Sequence, residues 1–527
     1  MDHRNVISLV VNAHAPFVRH PEISNPSQEL WLFESISETY IPLLEVFDRL
    51  DRDLVPYRMG LSISPSLCHM LCDEFLIQRY LDYTNKQITF GAEELERTKD
   101  DPVVNALAKL HYDRIVEKQL FFTSRCESNI LKGFDYHQKK GRIEILATAA
   151  TGAFLPFYTD YPEAVQAQFE VGISLYKSLF GRYPHGFWLP ELGWRGELDS
   201  WLRNYNFTYT IVDTHALAFA KPTLQRGSFY PAKTPLGTFI LGRDFYAGEA
   251  LAEIARDPLY RTNSRDQGFE LPSGELELFL GPQGSRNVTG YKYWAAGDGG
   301  ASNVLYDPAK ACDKAACDAI GFLEAGAARL KEASGIIDLP VIGLYAFEAD
   351  NFGRFWHEGP VFIETLFREG AKKEDIQFLT PSEFLFKQDS SLLQTLLPEY
   401  SSWGVNGYAE TWLDASNDWM YCHTMKALNR MVEMVDRFPN NTGLKERALN
   451  QAAREILLVT GSDWAKMLYK QEHSDYARSR IESSLRNFTT IYEALGSNYI
   501  STEWLTQLEK RHNIFPAINY HIFKRKS

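Results

Sequence analysis

The chain has 527 residues, of which 45% are hydrophobic and 23% charged, values that are ordinary for a globular protein of two or three domains. The formal net charge of -13 repels polyanions, so we expect no nucleic-acid partner, whereas a neutral polysaccharide is compatible. Aromatic residues reach 13%, which suits either a sugar-binding cleft or a large aromatic core. No apolar run has transmembrane length and no secretion signal is recognised, so we expect a cytoplasmic protein without membrane contact.

Short apolar runs predict strands, and most of them end in a polar or charged residue. They cover residues 6–11, 60–64, 143–146, 186–189, 209–212, 341–345 and 376–379. Helical stretches separate them, among others at residues 31–50, 105–118, 161–180 and 308–333. This alternation predicts a parallel sheet, and polar residues at the C-terminal ends of the strands favour a barrel whose chemistry lies at that rim.

The predicted domain organisation is a barrel followed by a helical region. Because about seven strands are visible in the sequence rather than eight, we expect an α/β fold with a distorted (β/α)7, TIM-like barrel over residues 1–395. A segment rich in glycine, proline and polar residues, at about 223–300, is interpreted as barrel insertions. Amphipathic runs predict a C-terminal all-α domain over residues 396–527 that completes the cleft, and they cover residues 417–438, 444–460 and 474–495.

Carboxyl groups with aromatic neighbours follow two of the predicted strands. Glu191 lies in the sequence Gly-Phe-Trp-Leu-Pro-Glu-Leu-Gly-Trp at 186–194, and Glu348 and Asp350 begin the segment 348–360. Moving a glycosidic bond takes two carboxyls, one that attacks and one that donates a proton. Residues two apart on a strand share a face, so Glu348 and Asp350 are both candidates for the barrel mouth. Capping or salt-bridging roles for these carboxyls are the alternative.

Histidines and tryptophans supply the remaining candidates. His14 and His215 lie at strand ends, where they suit contacts with sugar hydroxyls or a structural role. Together with Asp213 they match no familiar metal-ligand spacing, so we expect neither a metal nor a cofactor. Trp412 and Trp419 are seven residues apart, which puts them on one helix face and leaves a core role open.

The order of several short motifs along the chain resembles that of glycoside hydrolase family 57, in its branching-enzyme and amylase branches. The motifs are Asn-Ala-His-Ala-Pro-Phe-Val-Arg-His-Pro-Glu at 12–22, Trp-Leu-Phe-Glu at 31–34, Glu-Thr-Tyr at 38–40, Trp-Leu-Pro-Glu at 188–191, Val-Asp-Thr-His at 212–215, Gly-Tyr-Lys-Tyr-Trp at 290–294, Glu-Ala-Asp-Asn-Phe-Gly at 348–353, Ser-Trp-Gly at 402–404 and Ser-Asp-Trp at 462–464. Each motif alone is short, and the shared order carries the resemblance.

The resemblance implies a retaining enzyme that acts on α-1,4-glucans. It assigns the nucleophile to Glu191 and the acid/base to Glu348, with Asp350 as a further catalytic candidate. It also implies substrate contacts, from Asn12, His14, Trp31, Asp213, His215, Trp294, Trp356, Trp403, Trp412 and Asp463. The implied partner is an α-glucan polysaccharide or oligosaccharide, and the oligomeric state is left open.

Some positions depart from the family pattern. The acid/base motif Asp-Ala-Glu-Leu-Phe-Gly has become Glu-Ala-Asp-Asn-Phe-Gly, so the acid at Glu348 is one methylene longer. Asn12 and Gly152 stand where the family has histidines, and Arg226 stands where branching enzymes have a flexible-loop tyrosine. We hypothesise that the small Gly152 accommodates the longer Glu348.

These observations predict an α-1,4-glucan branching enzyme that forms α-1,6 branches on a glycogen-type or starch-type substrate. One alternative is an α-amylase or 4-α-glucanotransferase of the same family, which would use a different acceptor. Another is a glucan-binding homologue that has lost catalysis, as the changes at Asn12, Gly152 and Glu348 suggest. Loss of selection more often leaves an uncharged residue than a swapped carboxyl pair, and this favours an active enzyme.

Overall fold

The computed structural model describes residues 4–297 and 303–525, and within these ranges its centre is a curled sheet of nine strands. The strands are β1 (Asn5–Ala13), β2 (Met59–Ile63), β3 (Ile143–Thr148), β4 (Gly186–Trp188), β5 (Tyr209–Val212), β6 (Ala232–Lys233), β7 (Phe239–Gly242), β8 (Ile342–Glu348) and β9 (Ile376–Phe378). Their order in the sheet is β6-β7-β5-β4-β3-β2-β1-β8, and β9 pairs with β1.

The sheet closes into a barrel wall. The strands β1, β2, β3, β4, β5, β7 and β8 pair in parallel with their neighbours. Arg243, directly after β7, forms a parallel bridge with Leu344 in β8, and this bridge joins the two ends of the curled sheet. The predicted distorted (β/α)7 barrel is therefore confirmed, with β6 as an antiparallel addition and β9 as a further parallel one.

The strands are apolar runs because both of their faces are covered. In β1, every residue after Asn5 is buried. In β8, burial continues to Phe347 and decreases only at Glu348, the last residue of the strand. Polar side chains at the strand ends thus occur where the chain leaves the core, as the sequence predicted.

Helices alternate with the strands through the barrel region. They are α1 (Glu29–Glu34), α2 (Ile41–Arg52), α3 (Pro65–Cys72), α4 (Glu74–Arg97), α5 (Pro102–Leu120), α6 (Ile130–Lys139), α7 (Pro162–Phe180), α8 (Leu198–Asn204), α9 (Thr214–Ala218), α10 (Phe245–Ile254), α11 (Gln267–Glu270), α12 (Pro308–Ile336), α13 (Gly359–Gly370) and α14 (Pro381–Leu385). A π-helical turn, Ser35–Tyr40, joins α1 to α2. Thr380 caps α14 in a capping box with Glu383, which satisfies backbone N–H groups at the helix start.

The segment at 223–300 contains more than the predicted insertions. It supplies β7, which is one of the barrel strands, together with β6, α10 and α11. The apolar run of β7 is only four residues long and lies in a glycine-rich and proline-rich context, so the sequence pattern did not reveal it. Residues 298–300 of the segment lie outside the described residues.

The C-terminal region is helical, with α15 (Asp418–Arg437), α16 (Leu444–Val459), α17 (Ser462–Lys470), α18 (Ser474–Gly496) and α19 (Thr502–Arg511). Helix α17 begins against the barrel rim after β3, because Gly461 bridges to Ala153 and the Ser462 amide donates to the Gly152 carbonyl at 3.3 Å. In the two described ranges, no helix combines the length and the apolar character that a membrane span needs.

Candidate active site

A cavity of about 330 Å³ opens where β1 and β8 end, between the barrel rim and α17. Helix α17 belongs to the helical region, so the cavity lies between the two parts of the chain. Its wall includes predicted site residues, namely Asn12, His14, Trp31, Glu191, Glu348, Asp350 and Asp463. Both members of the predicted carboxyl pair are among them.

Glu191 follows β4 in a tight turn and is only 8% exposed. Its φ of 59° is left-handed, a conformation that costs a non-glycine residue about 1–3 kcal/mol and persists where the surroundings hold it. Two donors hold the carboxylate, the Trp403 indole N–H at 2.6 Å and the Ser462 hydroxyl at 2.9 Å. Both donors lie after the barrel strands, so the C-terminal part of the chain orients the predicted nucleophile.

Glu348 is the last residue of β8, in register with Asn12 on β1. The Asn12 amide donates to the two Glu348 oxygens at 3.2 and 3.5 Å. Burial raises the pKa of Glu348 to about 7, with a contribution from nearby Glu191, while Lys466 opposes the shift. Near neutral pH the carboxyl therefore holds a proton for much of the time, as a general acid requires.

His14 pairs with Asp463 of α17, whose carboxylate lies 2.8 Å from the ring Nε2. Burial opposes the charged form, but the Asp463 carboxylate outweighs it and raises the pKa of His14. The hypothesis about Gly152 is wrong: a Cβ there would meet the His14 ring at 2.6 Å, so Gly152 makes room for His14 and not for Glu348. Its φ of +66° also favours glycine.

Asp350 lies in a 3₁₀ turn, Ala349–Phe352, and not on the strand, because β8 ends at Glu348. The argument from alternating strand faces therefore does not apply to it. Its carboxylate accepts hydrogen bonds from Ser35 at 2.9 Å and Thr39 at 3.1 Å, both on the π-helical turn. Burial raises its pKa. Through these hydrogen bonds, Asp350 attaches the segment that follows Glu348 to the π-helical turn.

Asp213 and His215 do not line the cavity. Asp213 accepts from the Thr214 amide at 2.7 Å and pairs with Arg243 at 3.2 Å. The Arg243 guanidinium lies 5.9 Å from the Trp403 ring, so this pair is adjacent to the residue that holds Glu191. The Nε2 atom of His215 lies 2.7 Å from the carbonyl oxygen of Gly407. Among the described residues, no group of three or more His, Cys, Asp and Glu side chains is arranged to hold a metal.

Three predicted tryptophan contacts are not brought to the cavity. Trp356 is 2% exposed and packs against Tyr260 and Phe362, and Trp412 is 1% exposed and stacks on Phe154 at 5.1 Å. These buried rings leave no face for a sugar, and the core role left open for Trp412 is the one observed. Trp294 donates to Glu270 at 2.9 Å and lies under the Arg265 guanidinium.

Sequence reasoning missed two polar residues of the site, Ser462 and Lys466. Both lie on α17, and of the motif at 462–464 only Asp463 was predicted as a substrate contact. Residues four apart share a helix face, so the spacing from Ser462 to Lys466 was the signal that predicted a common orientation.

Residues 8–391 match the sequence model of the glycosyl hydrolase family 57. The chain belongs to this family. Residues 423–523 match a second sequence model, which describes the C-terminal part of 1,4-alpha-glucan branching enzymes. The family resemblance predicted from the motif order is thus confirmed.

Named relatives include branching enzymes and an amylase. The chain is 27% identical over 551 aligned residues to a 1,4-alpha-glucan branching enzyme of Thermococcus kodakarensis, covering 98% of this chain and 78% of that one. Among solved structures, the alpha-amylase AmyC from Thermotoga maritima is 33% identical with a TM-score of 0.92, covering 99% and 100% of the two chains. A family 57 branching enzyme from Pyrococcus horikoshii is 25% identical with a TM-score of 0.89, covering 99% and 97%.

Proposed function

We propose that this chain is a 1,4-α-glucan branching enzyme, which breaks an α-1,4 link and forms an α-1,6 branch on a glycogen-type or starch-type substrate. The observation that carries the proposal is that Glu191 and Glu348 share one cavity with α17. Helix α17 lies within residues 423–523, the part that resembles the C-terminal region of branching enzymes.

The reaction would proceed by double displacement with retention. Glu191 attacks the anomeric carbon and forms a glycosyl-enzyme, while Glu348 protonates the leaving oxygen. Glu348 then accepts the proton of the acceptor hydroxyl as that oxygen displaces Glu191. The donors Trp403 and Ser462 keep the nucleophile's carboxylate oriented before the substrate arrives.

The state of Glu348 supports an active enzyme over a glucan-binding relic. Its carboxyl is retained at the acid position, it has a partner in Asn12, and its pKa is raised to about 7. A group that served only as a structural ion-pair partner would instead have an opposite charge bonded to it, which would lower its pKa.

An α-amylase is the second candidate, in which water replaces the sugar acceptor. It is supported by the similarity to AmyC and by Arg226, which stands at the position of the flexible-loop tyrosine. Arg226 donates to the Leu392 carbonyl at 3.0 Å and lies 3.6 Å from the Asp338 carboxylate. Its side chain is thus directed to the protein and not offered to a substrate.

Amylose separates these candidates. We expect incubation with the protein to create 1,6 links, detected by NMR and by new chains after debranching. Short linear sugars as the main product would assign an amylase, and unchanged amylose that nevertheless binds would assign a relic.

The nucleophile is tested with Glu191→Gln, which keeps the shape of the side chain and removes the attacking charge. We expect a loss of at least about a hundredfold in glucan turnover. The matched control is Glu369→Gln, on the outer helix α13. Near-normal turnover by Glu191→Gln would refute the assignment.

Substrate contacts by Asn12, His14, Trp31, Trp403 and Asp463 belong to the same proposal, supported by their places in or beside the cavity. A cytoplasmic location is also proposed, and it is supported by the six cysteines, all of which are free thiols. The domain division at residue 395 stays a prediction.

A further inference from the structure

One face of α17 carries three polar side chains toward the cavity, from Ser462, Asp463 and Lys466. The first two have partners on the barrel, since Ser462 donates to Glu191 and Asp463 pairs with His14. Lys466 lines the same cavity, but it forms no hydrogen bond and no ion pair with any of the residues that the structure describes. Its ammonium group therefore has free donors inside the cavity.

Charged and titratable groups face Lys466 from both parts of the chain. The barrel contributes His14, Glu191, Glu348, Asp350 and Arg354 to the cavity wall. The helical region contributes Asp463, Lys470, Glu472 and His473. Glu191 is the largest influence on Lys466 and raises its pKa, with further contributions from Glu348 and Asp463. The ammonium group therefore stays charged throughout the neutral range.

We propose that Lys466 is a further functional residue of this cavity, whose positive charge acts on the neighbouring carboxyl groups and whose N–H groups donate to hydroxyls of the bound glucan. The second part rests on the proposed function. The first part concerns the protein without substrate and is independent of it.

The chemistry of the site explains why a lysine fits this place. Double displacement needs one carboxyl ionised and the other protonated at the same pH. A cation in the same cavity favours the ionised form of a neighbouring carboxyl, and Lys466 supplies one. A lysine supplies a compact charge with three rotatable N–H groups. These groups can donate hydrogen bonds to sugar hydroxyls without a fixed bidentate geometry.

The first test needs no activity. The protonated carboxyl of Glu348 is followed by pH-difference infrared spectroscopy, with Glu348→Gln as the reference that identifies its band. Lys466 opposes protonation of Glu348, so in Lys466→Met the titration midpoint should move to higher pH by about one unit. Lys466→Arg keeps the charge and should leave the midpoint near that of the wild type. An unchanged midpoint in Lys466→Met would overturn the charge role.

The second test is the pH profile of glucan turnover. In Lys466→Met we expect the alkaline limb to move to higher pH, because Glu348 keeps its proton longer without the neighbouring cation. The KM for maltoheptaose should rise about tenfold, as expected for one lost charged hydrogen bond. The matched control is Lys426→Met, an exposed lysine on α15. A profile and a KM that match the wild type would overturn the proposal.

Circular dichroism checks that the variants are folded, and Lys466→Gln replaces Lys466→Met if the latter is not. If the wild type turns over no glucan, the branching proposal fails, while the infrared midpoints still decide the charge role of Lys466.

Discussion

At the scale of single residues, the two departures Asn12 and Glu348 form one hydrogen-bonded unit. They are register partners on β1 and β8, and the Asn12 amide donates to the longer carboxylate. Shortening Glu348 to aspartate would withdraw the carboxyl by about 1.5 Å, the length of one carbon–carbon bond, and break this contact. The coupling that we expected between residues 152 and 348 therefore belongs to residues 12 and 348.

A double-mutant cycle tests this pair. We expect Glu348→Asp to reduce turnover by about a hundredfold, because an error of about 1 Å in the placement of the acid is costly. Asn12→His with Glu348→Asp should recover more than the two single changes predict together, with a coupling of about 0.5–3 kcal/mol. The control pairs Glu348→Asp with Ser479→His, a change on the exposed face of α18. Additive effects of Asn12→His and Glu348→Asp would show that these two residues are not coupled.

The pKa of Glu348 predicts the alkaline side of the pH profile. Because the acid must be protonated and its pKa is about 7, turnover should fall as pH rises through about 7, approaching tenfold per pH unit. An α-maltosyl fluoride releases fluoride, which needs no proton, so formation of the glycosyl-enzyme from it should lack this decline. The same decline with both substrates would assign the titration to another group.

At the scale of elements, the start of α17 links the helical region to the nucleophile. The Gly461–Ala153 bridge and the Ser462–Gly152 bond attach this helix to the rim after β3. That attachment places the Ser462 hydroxyl 2.9 Å from the Glu191 carboxylate. The geometry of the nucleophile therefore depends on a contact between residues 271 positions apart.

Ser462→Ala tests this dependence. We expect about a tenfold loss of kcat, since a hydrogen bond to a charged group contributes about 1.5–3 kcal/mol and Trp403 retains the other one. The free energy of unfolding should fall by at most about 1.5–3 kcal/mol, because the carboxylate keeps Trp403 as a partner. Ser479→Ala on α18 is the control. A kcat equal to that of the wild type would show that Trp403 alone orients Glu191.

At the scale of the whole molecule, a buried carboxylate with histidine and asparagine partners joins three helices of the C-terminal region. Glu455 on α16 accepts from His512, just after α19, at 2.8 Å, and Asn487 on α18 donates to it at 3.3 Å. Glu455 and His512 are fully buried. Burial disfavours the charged form of Glu455, but His512 and its other donors outweigh burial and lower its pKa.

This pair predicts sensitivity to acid. A carboxyl with a lowered pKa stabilises the fold above its unfolded value of 4.5, and the stabilisation is lost as pH falls through the lower folded value. At pH 7, Glu455→Gln should reduce the free energy of unfolding by about 3 kcal/mol, since it weakens buried hydrogen bonds to a charged group. The difference from the wild type should shrink below about pH 4, measured by urea unfolding. Glu433→Gln on the exposed face of α15 is the control, and an equal loss there would refute the role of the pair.

The sequence by itself determined the features that depend on local pattern. Apolar runs that end in polar residues revealed most of the barrel strands, because a strand covered on both faces must be apolar until it leaves the core. The motif around Glu191 and the position of Glu348 at a strand end indicated the carboxyl pair in the same way. Strand β7 was not predicted because its short run lies in a segment rich in glycine, proline and polar residues.

Only the tertiary structure decided which of these local features meet. The sequence did not distinguish Trp356 and Trp412 from tryptophans that bind sugar, because their packing against Tyr260 and Phe154 joins residues far apart in the chain. The bond between Asn12 and Glu348 spans 336 positions and follows from strand register. The place of Lys466 beside both carboxyls follows from the docking of α17 on the rim. Such pairings are set by the packing of distant elements, which local periodicity does not encode.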